Sequence, residues 1–600
     1  MTEEELDDGN FDRLTSNIQR MEQISKRLVD VLLNRRPLRA ELNSPAQEIF
    51  AKAFTSHLHT MIEDPGKIYE RQLDYWAAMA HNFMHAQQDM LQGSFTAADD
   101  GEDDPLDDDR RFSNPLWKTS PYFRLIKLQY ALNKKYIEQI VSEADNIDEK
   151  DRRRLGYFAE QIINMMSPTN FLGTNPDALE KAVATEGESL VHGLENLVED
   201  LEANNGELVV RLADEDAFEV GVNIATTPGE VIYRNHMMEI IQYSPGTDAV
   251  REVPVVLFPP WINKYYILDL KEQNSLVKWI VDKGYTLFVV SWVNPDSSYS
   301  DIGMEDYIED GFLTAIKVAK SITGQDKVNS VGYCIAGTTL HLVLSLLAKR
   351  GDDSVQSATF FTALTDFSDQ GEFTPFLQDD FIDGIEAEVA EEGILRSFIM
   401  SRTMSFLRSN DLVYTPAIRS YMMGETPPAF DLLYWNGDGS NLPGKMTMKY
   451  LRELCQGNRY VKDGIELCGE RLHISDVKIP IMAIACETDH IAAWKNCYQG
   501  LVQTFSGNRT FILSGSGHIA GIVNPPAKRK YGYYTNSKIE STPEAWRNNA
   551  VRQEGSWWPR WESWLKERSG DLIPARKPGN LSHPSLCKAP GSYVLVKSVI

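Results

Sequence analysis

Val331-Gly332-Tyr333-Cys334-Ile335-Ala336-Gly337 is the stretch on which the fold turns. It continues a short stretch bounded by valines, Val328–Val331, that reads as a strand, and it leads into Thr338–Lys349, which reads as a helix. Small residues at 332, 336 and 337 suit a strained strand-to-helix turn, where the helix must pack close to the strand it has just left. A cysteine at the apex of such a turn is presented as a nucleophile. The pattern is G-x-C-x-A-G, so Ala336 stands where the second glycine of G-x-[SC]-x-G would be. By itself the same stretch also fits a buried structural cysteine after a parallel strand, because free cysteine is among the most buried residue types.

The sequence on either side favours the nucleophile. From about residue 216 onward, short runs rich in Val, Ile, Leu, Phe and Tyr alternate with helical stretches. Strands are expected at Val231–Arg234, Glu239–Tyr243, Val253–Phe258, Thr286–Ser291, Val328–Val331, Ser357–Thr362, Ile479–Ala485 and Thr510–Leu513. Helices are expected at Leu268–Lys283 and Asp306–Lys320. A continuous apolar run such as Val253–Phe258 suits a strand buried on both faces, and the alternation implies a mostly parallel sheet with right-handed crossovers. Two later strands run into polar loops, Cys486-Glu-Thr-Asp489-His490 and Ser514-Gly-Ser-Gly-His518. Cys334, Asp489 and His518 thus follow one another as nucleophile, acid and base, the chain order of an α/β-hydrolase. Each comes just after a strand, at the carboxyl edge where open parallel sheets bind ligands. His490 shares the loop with Asp489 but is its neighbour on the chain, so it is read as a packing or hydrogen-bonding residue with a lesser claim on chemistry. The oxyanion hole is expected to use the backbone N–H of Ile335, the residue after the nucleophile. A second donor should come from the loop Pro259-Pro260-Trp261-Ile262-Asn263-Lys264; proline has no N–H, which leaves Ile262 as the choice.

These readings give an α/β fold: an α/β-hydrolase-like, mostly parallel sheet over residues 216–600, preceded by a helical N-terminal domain over 1–215. In the latter, Phe11, Leu14, Ile18, Met21, Ile24, Leu28 and Leu32 fall on one helical face, and so do Leu73, Trp76, Met79 and Phe83. Ser44–Pro45 and Asp64–Pro65 read as helix starts, and the acid-rich run Asp99 to Asp109 as a solvated loop. More than a hundred residues separate the strand at Ser357–Thr362 from the one at Ile479–Ala485. That is too long for a simple connection, and an inserted lid is expected at about 366–435. The tryptophans at 557, 558, 561 and 564 read as packing of a terminal helix.

Composition narrows the class. The chain has 600 residues and a formal net charge of −26, a field that repels nucleic acid and anionic lipid, so no nucleic-acid partner is expected. Six cysteines, at 334, 455, 468, 486, 497 and 587, show no CxxC pair and no framework spacing, and read as reduced thiols of a cytoplasmic protein. The opening MTEEELDDGN carries no basic or apolar signal region, and no apolar run reaches the length of a transmembrane segment. No metal or cofactor is implied, since histidines and cysteines lack ligand spacing on any one element.

Several longer stretches then carry a resemblance. They are Phe258-Pro-Pro-Trp-Ile-Asn-Lys-Tyr-Tyr-Ile-Leu-Asp-Leu270, the box around Cys334, Phe406-Leu-Arg-Ser-Asn-Asp-Leu412 and Ala429-Phe-Asp-Leu-Leu-Tyr-Trp-Asn-Gly-Asp438. With them go Asp489-His-Ile491, Gly515-Ser-Gly-His-Ile-Ala-Gly-Ile-Val-Asn-Pro-Pro-Ala527, Gly555-Ser-Trp-Trp-Pro559 and, upstream, Asn114-Pro-Leu-Trp117. In these the chain resembles the class I poly(3-hydroxyalkanoate) synthases, bacterial polyester polymerases whose box usually has glycine where Ala336 stands. The resemblance implies an acyltransferase that polymerises (R)-3-hydroxyacyl-CoA, with 3-hydroxybutyryl-CoA favoured by the class, and releases CoA. It implies that Cys334 holds the growing chain as a thioester and that His518 is the base. Asp489 either orients His518 or assists the incoming hydroxyl. It further implies a homodimer in the cytoplasm, associated with polyester granules. Within the expected lid, Arg408 is a candidate to meet the anionic CoA, though such an arginine also pairs with a neighbour such as Asp411. Trp435 is a candidate for an apolar product path, with core packing as the other reading. A cysteine-nucleophile hydrolase of thioesters or esters would present the same triad, and a granule-bound scaffold with an inactive hydrolase fold is the non-catalytic rival.

Overall fold

The strand-helix alternation after residue 216 builds a single eleven-stranded sheet. In chain order its strands are β1 (Gly229–Arg234), β2 (Met238–Tyr243), β3 (Val255–Phe258), β4 (Leu287–Trp292), β5 (Val328–Tyr333), β6 (Val355–Phe361), β7 (Ile481–Cys486), β8 (Arg509–Ser514), β9 (Tyr533–Thr535), β10 (Val551–Gln553) and β11 (Cys587–Lys588). Across the sheet they lie in the order β10-β9-β8-β7-β6-β5-β3-β4-β2-β1-β11. The six strands from β8 to β4 are parallel, and the flanking strands on both sides are antiparallel. Every residue of β3, β4, β5 and β7 is buried, which is why β3 and β7 read as unbroken apolar runs rather than alternating ones. The strand order reverses at β3: β4 lies on one side of it and β5 on the other. Such a reversal opens a crevice at the carboxyl edge of the sheet.

The computed structural model describes residues 3–35, 42, 65–92, 106–143 and 147–598. The expected helix start at Ser44–Pro45, residue Asp64 and most of the acid-rich run lie outside these residues. Among the described residues no helix is long and apolar enough to cross a membrane.

The chain divides into two compact units, one made of 1–212 with 402–428 and the other of 213–401 with 429–600. The first is helical: α1 (Glu3–Leu33), α2 (Pro65–Gln92), α3 (Pro121–Ser142), α4 (Glu149–Met165), α5 (Pro176–Ala184) and α6 (Glu188–Ala203). Local chemistry sets the helix starts. Asp148 caps α4 by accepting from Asp151 N–H at 2.8 Å, and Asn175 caps α5 by accepting from Ala178 N–H at 3.0 Å, with Pro176 in the first position. Ile24 of α1 packs with Val191 and Val198 of α6. The aromatic side chains of Phe112, Trp117, Phe123 and Tyr130 form a second small core.

The expected lid at 366–435 is not one body. Its middle, Arg402–Pro428, groups with the helical unit, and its two ends stay with the sheet. The reason is close packing on α6. A Cβ on Gly193 would stand 2.0 Å from the Tyr421 carbonyl oxygen, so the segment lies against bare backbone there. The Tyr421 hydroxyl donates to Asp200 Oδ2 at 2.7 Å, and Asn196 Nδ2 donates to the Ser420 carbonyl at 3.1 Å.

Candidate active site

β5 ends at Tyr333, and the helix α7 (Ile335–Arg350) begins two residues later, which leaves Cys334 alone in the turn. Its φ of 53° and ψ of −125° lie outside the regions open to an L-residue without strain. The turn is held by the Cys334 N–H, which donates to the Phe361 carbonyl at 2.8 Å, and by the Cys334 carbonyl, which accepts from Gly337 and Thr338 N–H at 2.9 and 3.2 Å. Helix and strand meet at two glycines. A Cβ on Gly332 would stand 2.6 Å from Gly337 Cα, and one on Gly337 would stand 2.5 Å from Ala363 Cβ. Ala336 is fully buried, and what a Cβ on Gly332 would meet there, at 3.1 Å, is its carbonyl oxygen and not its methyl group.

Asp489 and His518 come from the loops after β7 and β8, which pair in register up to Cys486 opposite Ser514. His518 Nδ1 and Asp489 Oδ2 are 2.6 Å apart. The other carboxylate oxygen accepts from Ile491 and Ala492 N–H at 2.8 and 2.9 Å, so the loop's own backbone fixes the acid. The Asp489 side chain is completely buried and that of His518 is 9% exposed. With Nδ1 on the acid, the second ring nitrogen is left for the Cys334 thiol. Burial works against a charge on the imidazole. The Asp489 carboxylate and Cys334 outweigh it, and the His518 pKa lies well above the usual histidine value. Tyr333 braces the base: its hydroxyl donates to the His518 carbonyl at 3.2 Å, and the two rings stack at 5.8 Å.

The remaining expected residues divide by position. Ile335 is the first residue of α7, where backbone N–H groups have no partner within the helix. Ile262 follows β3, whose Phe258 lies opposite Gly332 of β5, so both oxyanion candidates sit at the reversal of strand order. Their loop is tied down by the Trp261 indole, which donates to Thr339 Oγ1 at 3.2 Å. His490 is half-buried in the loop, while the Asp489 oxygen it would compete for is taken by His518. Trp435 is 4% exposed in the core of the sheet unit, and its indole N–H donates to the Lys264 carbonyl at 2.7 Å, a position that fits packing. Arg408 belongs to the segment grouped with the helical unit. Its carbonyl accepts from Asp411 and Leu412 N–H, and its guanidinium donates to the Leu407 carbonyl at 3.4 Å. It is therefore not among the residues the sheet brings together. Tyr333 and Tyr450 were not anticipated. Tyr333 lies inside the turn motif, but its contact with His518 spans 185 residues of sequence. Tyr450, set edge-on to Trp261 at 5.6 Å and electrostatically coupled to Cys334, has no motif around it.

Comparison with known proteins bears on the same residues. Residues 108–280 match a family model described as the poly-beta-hydroxybutyrate polymerase (PhaC) N-terminus, and residues 254–525 match one for the alpha/beta hydrolase fold. Over 549 residues the chain is 39% identical to the poly(3-hydroxyalkanoate) polymerase subunit PhaC of Rhizobium meliloti, covering 90% of this chain and 89% of that protein. Over 498 residues it is 39% identical to the subunit of the same name from Cupriavidus necator, covering 82% and 83%. Over 491 residues it is 35% identical to poly(3-hydroxyalkanoate) polymerase 2 of Ectopseudomonas oleovorans, covering 82% and 87%.

Proposed function

The chain belongs to the poly(3-hydroxyalkanoate) polymerases, and from that membership we propose that it joins (R)-3-hydroxyacyl units, with 3-hydroxybutyryl-CoA as the substrate, through a thioester on Cys334. The observation that carries this reading is the buried Asp489–His518 pair, 2.6 Å apart, at the same carboxyl edge of the sheet as the strained turn that holds Cys334. Cys334 sulfur attacks the acyl carbonyl of the CoA thioester. The C–S bond to CoA breaks, and the departing thiolate takes a proton from the His518 imidazolium. The neutral imidazole then accepts the proton of a 3-hydroxyl whose oxygen attacks an acyl-enzyme carbonyl, so that a C–O ester bond forms as the C–S bond to Cys334 breaks.

The high pKa of His518 suits the first step, because an imidazolium is ready to protonate the departing CoA. Asp489, held by two backbone N–H groups, orients the imidazole rather than moving a proton itself. A thiol suits the task better than a hydroxyl. Exchange between two thioesters is nearly isoenergetic, so the acyl-enzyme stays activated for the next hydroxyl. The backbone N–H groups of Ile335 and Ile262 receive the developing oxyanion. The growing chain remains on a homodimeric enzyme at the surface of a polyester granule in the cytoplasm. Incubation with (R)-3-hydroxybutyryl-CoA tests the reaction: polymer together with free CoA is expected. Free 3-hydroxybutyrate with CoA would instead mark a hydrolase, and no CoA release would mark an inactive fold.

A further inference from the structure

The loop that brings His518 to the site also carries Lys528-Arg529-Lys530. It is closed at its base, where Gly515 N–H donates to the Gly532 carbonyl at 2.8 Å, next to the pairing of Ser514 in β8 with Tyr533 in β9. The base of catalysis therefore lies near the start of a tied excursion from the carboxyl edge, and the three cations near its end. That end is stiffened by Pro525 and Pro526, by a single turn of 3-10 helix at Pro526–Lys528, and by Asn524 Nδ2 donating to the Lys530 carbonyl at 2.9 Å.

All three cationic residues are exposed, and among the described residues none of them pairs with a carboxylate. Other cations of the same unit are matched. Arg452 meets Asp379, Asp383 and Glu386, Lys495 meets Glu544 at 2.7 Å, and Arg547 meets Glu487 at 3.1 Å. Arg552 of β10, which comes within 3.3 Å of the space a Cβ on Gly532 would fill, has Glu554 at 3.8 Å. In a chain with 86 carboxylates and a net charge of −26, three adjacent unmatched cations repel one another and stand against the global field. That arrangement concentrates a small anion locally.

We infer that Lys528, Arg529 and Lys530 receive the phosphate groups of the incoming acyl-CoA and so deliver its thioester to Cys334. The inference rests on the acyl-CoA reading of the site. CoA carries its diphosphate and 3′-phosphate at the far end of a long flexible arm from the thioester. Its charge must be met away from the reacting atoms but on the same edge of the sheet. Cations near the end of the His518 loop satisfy both requirements, and lysine and arginine are the side chains that recognise phosphate. The residues bind and take no part in bond making.

The test compares the full chain with the variant Lys528→Gln/Arg529→Gln/Lys530→Gln on two substrates. One is (R)-3-hydroxybutyryl-CoA. The other is the (R)-3-hydroxybutyryl thioester of N-acetylcysteamine, which keeps the reacting end and has no phosphate. For the CoA ester KM is expected to rise about tenfold with kcat unchanged, while kcat/KM for the short thioester stays the same. KM for CoA ester should climb with salt in the wild type and much less in the variant, because the charges that salt screens are gone. Adenosine 3′,5′-bisphosphate should inhibit the wild type competitively and lose potency against the variant. An unchanged KM for the CoA ester would overturn the inference. Equal losses on both substrates would overturn it too, since they would point to a disturbed His518. Failure of the polymerase reading would look different: the unaltered protein would release no thiol from either substrate, or would release it with free 3-hydroxybutyrate and no polymer, before any variant is compared.

Discussion

His518 is charged against its surroundings, and that makes it the residue at which the site can be tested most sharply. Burial alone would push the imidazole towards its neutral form; Asp489 and Cys334 reverse the direction. Asp489→Asn keeps the shape and removes the charge, so the His518 pKa is expected to fall. Histidine NMR reads this directly: the His518 titration should move to lower pH, and alkylation of Cys334 by iodoacetamide should slow. A titration unmoved by Asp489→Asn would show that the carboxylate is not what holds the proton. His490→Gln should leave the titration where it is. Cys334→Ala is expected to lower CoA release by a factor of about 10⁴ or more with the unfolding midpoint preserved; substantial turnover in that variant would remove Cys334 from the nucleophile's place. At this scale the sequence was informative wherever a polar or nucleophilic residue sat in a loop just after an apolar strand, as Cys334, Asp489 and His518 all do. Tyr333 and Tyr450 do not declare themselves, because what matters about them is a contact across the sheet edge and not a pattern along the chain.

Among the elements, the turn between β5 and α7 separates tolerated from forbidden methyl groups. Gly337→Ala would place a Cβ 2.5 Å from Ala363 Cβ and 2.9 Å from the Gly332 carbonyl oxygen, and it is expected to cost about 1–3 kcal/mol in urea unfolding as the helix is pushed off the strand. Ala336→Gly should change stability by about 1 kcal/mol or less. If the two variants unfolded alike, the close approach would not be where the structure has it. The strands of the sheet's interior were legible because burial on both faces leaves an unbroken apolar run. The short outlying strands β9, β10 and β11 were not. Each has only two or three residues, none of them buried, so neither alternation nor a continuous run exists to be read. The grouping of the segment Arg402–Pro428 with the helical unit is not legible in the sequence for a related reason. Its partners Gly193, Asn196 and Asp200 lie more than 200 positions upstream, and nothing in its own composition distinguishes packing on a helix from covering a sheet.

For the molecule as a whole, every triad member is carried by the sheet unit. A protein starting at Ala213 is therefore expected to keep an alkylatable Cys334 and to release CoA in a first turnover. The cost should appear at 402–428, which loses Asp200 as acceptor for Tyr421 and Asn196 as donor to Ser420; limited proteolysis should cut there first, at sites protected in the full chain. Equal protection in both proteins would mean that the segment needs no helical partner, and failure to acylate would place an essential element upstream of residue 213. The chain leaves the sheet unit after Ser401 and returns at Ala429, so the helical unit is encoded in two stretches of gene separated by most of the β-strands' coding sequence up to β6. It is thus not a cassette that recombination can exchange whole. A chimaera that joins residues 1–212 of one family member to the remainder of another sets a foreign Tyr421 against a native Gly193, a fit with no room for a single methyl group. Such hybrids should fold poorly when the crossover falls at 212 alone, and recover when 402–428 travels with its own helices.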